Sequence, residues 1–312
     1  MRLKNKLRSD RAGVNPLLIA VVVIVVVVVI AVAAYFLLSS DNNNESGDII
    51  APGTTVTADI TDSGVTYQYQ QSFIGQNAND YFIMETSSLD PSAVPDYYLE
   101  PKKEANGVPD GAVKVGEGEL DTGIDGTKNL EIWRYETTDG SGDIMEAYLD
   151  PTYKWLVYQG TITHSDGTVS TYTLTDYNMV LQSSYKESSS IGVTYGYTFT
   201  YGTQTYPAGV VCVAECLNGQ YGMMYDFSAI YDGLYIYDVS DNIQGLPVDA
   251  VNTGQTSQLD TMDGTVNTQI WTITENGNGV TFYYGPSTHI LYRLVITGTT
   301  ADGIVLDLTS KP

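Results

Sequence analysis

The chain is written twice. From Leu120 it reads LDTGIDGTKNLEIW, and from Leu259 it reads LDTMDGTVNTQIW. The match continues in order through Pro151 and Pro286 to Asp166-Gly167 and Asp302-Gly303. Upstream, GVTYQY from Gly64 answers GVTYGY from Gly192. Ordered self-similarity on this scale predicts one supersecondary unit built in tandem. The copies are placed at 56–184 and 191–312, with residues 185–190 as the linker.

Each copy predicts antiparallel strands. Alternating runs near 130–137, 144–149, 155–163 and 169–175 are separated by DGSGD, DPTYK and HSDG, which is turn chemistry. The later copy repeats the plan at 268–274, 280–284, 290–297 and 304–308. With 25 tyrosines and 30 glycines, composition also favours strands and turns. The predicted class is all-β: an N-terminal transmembrane helix followed by two related antiparallel domains, each a curved sheet, meander, sandwich or half-barrel. Trp133 and Trp271 sit at matching places and read as core side chains, with a sugar-stacking platform as the alternative.

The first 55 residues follow different rules. Residues 1–16 form a basic head, and the 22 residues from Leu17 to Leu38 carry no charge. As a helix those 22 would span about 33 Å, enough to cross a bilayer. The lipid bilayer is thus an expected partner through Leu17–Leu38. Lys and Arg are retained on the cytoplasmic side, which predicts a cell-membrane, single-pass protein with its N-terminus inside and its C-terminal domains outside. A cleaved signal peptide is the competing reading, opposed by the length of the run and by the greasy Tyr35-Phe36-Leu37-Leu38 after Ala34. Residues 39–55 read as a polar stalk, in which Asn44-Glu45-Ser46 is a glycosylation sequon.

The formal charge is −23. The head holds Arg2, Lys4, Lys6, Arg8 and Arg11 against Asp10, so the acidic excess falls wholly on the rest of the chain. Such a surface repels nucleic acid and favours cations or basic envelope proteins as partners.

Chemistry is sparse. An EF-hand loop needs oxygens at positions 1, 3, 5, 9 and 12 and glycine at 6. Asp121, Asp125, Gly126 and Asn129 fit, but Gly123 and Ile132 do not, and the later copy brings Asp260 one residue closer to Asp263. The pattern predicts a turn leading into the tryptophan strand. Cys212 and Cys216 would lie about 13 Å apart on a straight strand, too far for a bond. A bend would bring them together, so a Cys212–Cys216 disulfide and two buried thiols both stay open. His164 falls in a predicted turn and His289 aligns with Lys154; neither has a recognisable partner. No nucleophile elbow, phosphate loop or zincin helix occurs, so no catalytic residue, metal site or cofactor is expected. The Pro-rich stretch 88–111 has no evident counterpart in the later copy and reads as a long loop.

Two resemblances bear on function. RAGVNPLLIAVVVIVV, within residues 8–38, resembles the N-terminus of archaeal type IV pilin-like proteins, in which a peptidase cuts before the apolar helix and the helices pack into a filament. The meander with its YLDPTYKWLVY hairpin is similar to the open half-barrels of bacterial lipoprotein carriers, which implies a groove for an apolar ligand. The residues themselves point to a membrane-anchored, extracytoplasmic, non-enzymatic β protein, an envelope, adhesion or ligand-binding module. A filament subunit and a carrier are the alternatives.

Overall fold

The computed structural model describes residues 49–89, 95–102, 111–136, 142–153, 155–182, 184–229, 235–275, 278–298 and 303–312. These residues fold almost entirely as strands. The first series is β1 (Ile49–Ile50), β2 (Thr55–Asp62), β3 (Val65–Gln76), β4 (Asp80–Ser87), β5 (Asp96–Pro101), β6 (Val113–Asp121), β7 (Thr127–Glu136), β8 (Ile144–Leu149), β9 (Val157–Thr163) and β10 (Val169–Asn178). After the short β11 (Leu181–Gln182) comes the second: β12 (Thr194–Tyr201), β13 (Gln204–Cys216), β14 (Tyr221–Asp226), β15 (Tyr235–Ser240), β16 (Val251–Thr261), β17 (Gly264–Glu275), β18 (Asn278–Gly285), β19 (Ile290–Gly298) and β20 (Ile304–Ser310).

The pairings of the two series correspond strand for strand. From β6 to β10, each strand pairs antiparallel with the next, and β10 then returns to β2. From β16 to β20 the pattern is the same, and β20 returns to β12. On the far side, β2 to β5 pair in succession, as do β12 to β15. β13 also bridges to β3 through Glu215↔Gln76 and Cys216↔Gly75.

This correspondence changes two details of the sequence reading. Gly64 turns the chain into β3, the second long strand of its series, whereas Gly192 precedes β12, the first of its own. The two GVTY words therefore occupy different strands. Residues 88–111 are also more than a loop. Asp96–Pro101 pairs with β4 from Asp80↔Pro101 to Glu85↔Asp96, the place that β15 takes beside β14. Its proline, Pro101, is on a strand for which β4 is the one ladder partner among the described residues, the edge setting in which a missing N–H is tolerated.

The expectation of an N-terminal membrane helix is corrected. The described residues form antiparallel β structure whose one helical element is a three-residue 3-10 turn, Leu217–Gly219. No helix among them is long and apolar enough to cross a membrane. The run Leu17–Leu38, the basic head, Asn44 and the pilin-like segment lie outside the described residues. The fold class is thus antiparallel β alone, and the single-pass, cell-membrane placement and the bilayer as partner have no support in the structure.

The chain divides into two compact units. Of the described residues, those within 60–66 and 111–173 belong to one, and those within 49–59, 67–102 and 174–312 to the other. In the first, Tyr135, Met145, Ala147, Leu149 and Ile162 are buried together with Trp133 against them. In the second, the alternation of β12 buries Tyr195, Tyr197 and Phe199 beside Val210, Met223, Phe282 and Leu306. Each such side chain is worth roughly 1.5–3 kcal/mol of burial. Leu246 and Ala250, from the segment between β15 and β16, fill that same cluster. Tyr225 Oη donates to Gly245 O at 2.7 Å and Ser240 Oγ to Leu246 O at 2.6 Å, which anchors the segment there. The core of the second series is thus completed in part by its own connecting segment.

Candidate functional site

The Asp-Gly-Thr words prove to be hairpin turns with a lock. β6 and β7 pair down to Asp121↔Thr127, and the turn between them uses Gly123 and Gly126 at φ of 74° and 71°. Asp125 Oδ2 accepts from Tyr158 Oη at 2.6 Å and lies 3.2 Å from Lys128 Nζ. In the later copy Asp263 Oδ2 accepts from Tyr292 Oη at 2.7 Å and from Lys311. Lys128 lies on β7 and Lys311 just after the end of β20, but the tyrosine and aspartate are matched. Among the described residues no group of three or more His, Cys, Asp or Glu is arranged to hold a metal ion.

His164 is far from partnerless. It lies in the turn between β9 and β10, where its N–H donates to Thr168 O and its carbonyl accepts from Gly167 N. Its Nδ1 is 2.9 Å from Asp143 Oδ2, just before β8, and its Nε2 is 3.0 Å from Ser170 Oγ on β10. Ser170 Oγ in turn donates to Asp62 Oδ1, at the end of β2, at 2.5 Å. The order Asp–His–Ser is that of a hydrolytic triad. Yet the serine proton is committed to a carboxylate, and Ser170 is only 5% exposed. A nucleophile needs the reverse: its proton aimed at the imidazole and its oxygen open to substrate. His289 sits at φ 55° in the β18–β19 turn with Nδ1 3.1 Å from Tyr284 Oη.

A second polar cluster is one that the sequence reading missed. Glu85 on β4 is buried and accepts from Tyr69 Oη and, at 2.6 Å, from Tyr98 Oη. Gln71 Nε2 donates to Tyr98 Oη at 2.7 Å. Burial pushes the Glu85 carboxyl above its ordinary value, with the tyrosine hydroxyls opposing and Asp96 adding to the rise. One signal could have found it: Glu85 alternates with apolar residues in a strand whose neighbours are buried.

Cys212 and Cys216 both lie on the 13-residue β13 as free, buried thiols. Burial raises them to about 11 and about 12. Cys216 packs against Gly75, where even a methyl group would come within 2.6 Å of its Sγ. Trp133 and Trp271 are half-buried against the core clusters of their units, and Trp133 Nε1 donates to Glu131 Oε2 at 3.0 Å.

The most open chemistry lies along the sheet margins. Among the described residues β6 pairs with β7 alone and β16 with β17 alone. Each is interrupted by a bulge at the matching place, between Lys114 and Gly116 opposite Trp133 and between Asn252 and Thr256 opposite Trp271. Bulges and charges are how sheets discourage pairing with their own kind. On β6, Val113 and Val115 are 62% and 53% exposed. Beyond the bulge a regular ladder runs from Gly116 to Asp121. Its exposed residues are Glu117, Glu119 and Asp121, with Glu131 directly across from Glu117. Facing like charges would oppose the pairing. Lys114 Nζ offsets this by reaching Glu117 at 2.7 Å and Glu131 at 2.8 Å, which raises the lysine and lowers the Glu117 carboxyl.

No family model matches the chain, and no curated protein matches it. Among solved structures it is similar, at 11% identity, to MucB in complex with MucA(peri), with 83% of this chain and 88% of that chain covered and a TM-score of 0.31. The same identity holds for the Pseudomonas aeruginosa MucA/MucB complex, at coverages of 82% and 88% and a TM-score of 0.29. For MucB alone, the coverages are 70% and 86% and the TM-score is 0.28.

Proposed function

We propose that this chain is a duplicated, non-enzymatic β scaffold that binds a protein partner, and that β6 receives an extended, basic segment of that partner as an added strand. The observation that carries the reading is the margin formed by β6: one pairing partner among the described residues, two exposed valines, and a row of carboxylates along a regular ladder. Strand addition draws affinity from main-chain hydrogen bonds and specificity from alternate side chains. A strand bearing lysine or arginine at alternate positions would meet Glu117, Glu119 and Asp121, and steering by the acidic surface would speed its arrival. The buried, pinned Ser170 supports the non-enzymatic half of the reading.

Fluorescence anisotropy with a labelled peptide of alternating valine and lysine tests this. The wild-type chain binds it with an affinity that weakens with salt, and E119K combined with D121K weakens it at least tenfold while leaving the circular dichroism unchanged. Equal binding by that variant, or no binding by wild type at low salt, removes β6 as the site.

A further inference from the structure

One hydrogen bond fixes which way the backbone of β16 faces. Thr268 Oγ1 on β17 donates to Ser257 O at 3.0 Å, and the two residues are directly opposed, so the Ser257 carbonyl is turned toward β17. Inward and outward positions alternate along an antiparallel ladder. Thr256, Gln258 and Asp260 therefore turn their N–H and C=O away from β17. Their side chains are exposed as well, whereas Leu259 between them is buried in the core. The bulge ahead of them satisfies itself: Gly254 N donates to Asn252 Oδ1 at 2.8 Å and Gln255 N to Thr253 Oγ1 at 3.2 Å. The outward-facing ladder is thus confined to residues 256–260.

Charge separates this margin from the others. β5, β6, β15 and β16 each have one ladder partner among the described residues. Asp96 and Glu100 on β5, Asp238 on β15, and Glu117, Glu119 and Asp121 on β6 would bring acid against acid if two copies met there. β16 carries no charge from 251 to 259, and Asp260 Oδ1 already accepts from Thr265 Oγ1 at 2.7 Å within its own hairpin. In a chain of net charge −23, this is the margin that a second copy can approach.

The ladder is also complementary to itself. Antiparallel pairing about a twofold axis at Gln258 sets Gln258 against Gln258 of the second copy and Thr256 against Asp260 of the second copy. Amide then faces amide, hydroxyl faces carboxylate, and no two acids are opposed. Each such pair exchanges two main-chain hydrogen bonds. Beyond the ladder, Met262, 50% exposed in the β16–β17 turn, comes toward the bulge of the second copy at Gly254, where an added Cβ would meet nothing within 4 Å. We infer that β16 is a self-recognition margin: two copies of this chain join through residues 256–260, strand against antiparallel strand, into one continuous sheet with its twofold axis at Gln258.

Cysteine capture on the full chain tests the register. Hydrogen-bonded antiparallel partners have Cα atoms about 5.5 Å apart, within disulfide reach, so Gln258→Cys is expected to give a covalent dimer with copper–phenanthroline as oxidant. Thr256→Cys and Asp260→Cys set like positions about 14 Å apart, so each alone is expected to cross-link at least tenfold more slowly, while a mixture of the two restores the dimer. Cys212 and Cys216 are buried, and the wild-type chain sets the background. Gln258→Pro removes an N–H that faces outward and leaves the ladder with β17 whole. Added to both members of the mixture, it is expected to cut capture at least tenfold with unchanged circular dichroism. Should that variant fail to fold, Gln258→Lys, which opposes two like charges at the axis, takes its place. Equal rates for the three single cysteines, no dimer from Gln258→Cys, or capture indifferent to the residue at 258 would each overturn the inference. E119K with D121K is expected to leave capture unchanged, so the fate of this margin and that of the β6 proposal are read separately.

Discussion

Tyr158 Oη donates to Asp125 Oδ2 at 2.6 Å across 33 residues, and that hydroxyl is also 2.6 Å from Lys128 Nζ. A buried phenol thus fixes the tip of the β6–β7 hairpin by bonding the aspartate of its turn. Tyr158→Phe keeps the ring and removes the bond, at an expected cost of about 1.5 kcal/mol, the scale of a hydrogen bond to a charged group. Urea unfolding followed by tyrosine and tryptophan fluorescence should show the midpoint fall with an unchanged slope.

At the matching turn, hydrogen bonds from Lys311 and then Tyr292 hold the Asp263 carboxyl below its usual range. A depressed carboxyl contributes stability above its unfolded value, about 3.9, and loses it as pH falls through the lower folded value. Lys311→Met should therefore be less stable than wild type at pH 6, with the gap closing as the pH is taken below 4. A gap that stays constant down to pH 2 would show that the lysine acts by packing and not by charge.

Glu85 has the opposite sign. Burial raises its carboxyl, so the folded state holds that proton more tightly than the unfolded chain does, and the contribution is lost as pH rises through the folded value. Glu85→Gln fixes the neutral form while still offering Tyr69 and Tyr98 a polar partner. The variant should gain on wild type steadily as pH climbs from 4 to 8. Glu85→Leu should instead be destabilised at every pH, because the two tyrosine hydroxyls lose their acceptor.

With thiols at about 11 and about 12 and little access, Cys212 and Cys216 should ignore an aromatic disulfide reagent at pH 8 in the folded state. In 6 M guanidinium both should react at once. Absence of reaction there as well would mean that the pair is bridged.

What the sequence made legible was what depends on neighbours. The alternation of Ile144–Leu149 and the turn residues on either side place β8 where it is found, because a period of two and a Gly- or Pro-bearing turn are written within ten residues. β5 was hidden by its prolines, which mark its surroundings and not its pairing with β4. The partners of His164 were hidden by distance. Asp143 lies 21 residues upstream and Asp62 more than a hundred, and only the return of β10 to β2 brings them to one place. The correspondence of GVTY words misled for a related reason: short similar strings fit any strand with the same alternation, whereas pairing identifies which strand it is.

The return of each last strand to its first has a cost in time. Thr309 Oγ1 bonds Gly196 O across 113 residues, and β12 meets β20 along the length of both. Contacts this remote close slowly, because the intervening chain must be gathered before they reward it. On the ribosome, Tyr195, Tyr197 and Phe199 lack their Leu306 and Leu308 neighbours until Ile304–Ser310 has emerged. A nonsense codon just before Ile304 would then strip β12 and β19 of a partner in one stroke, leaving two raw sheet margins.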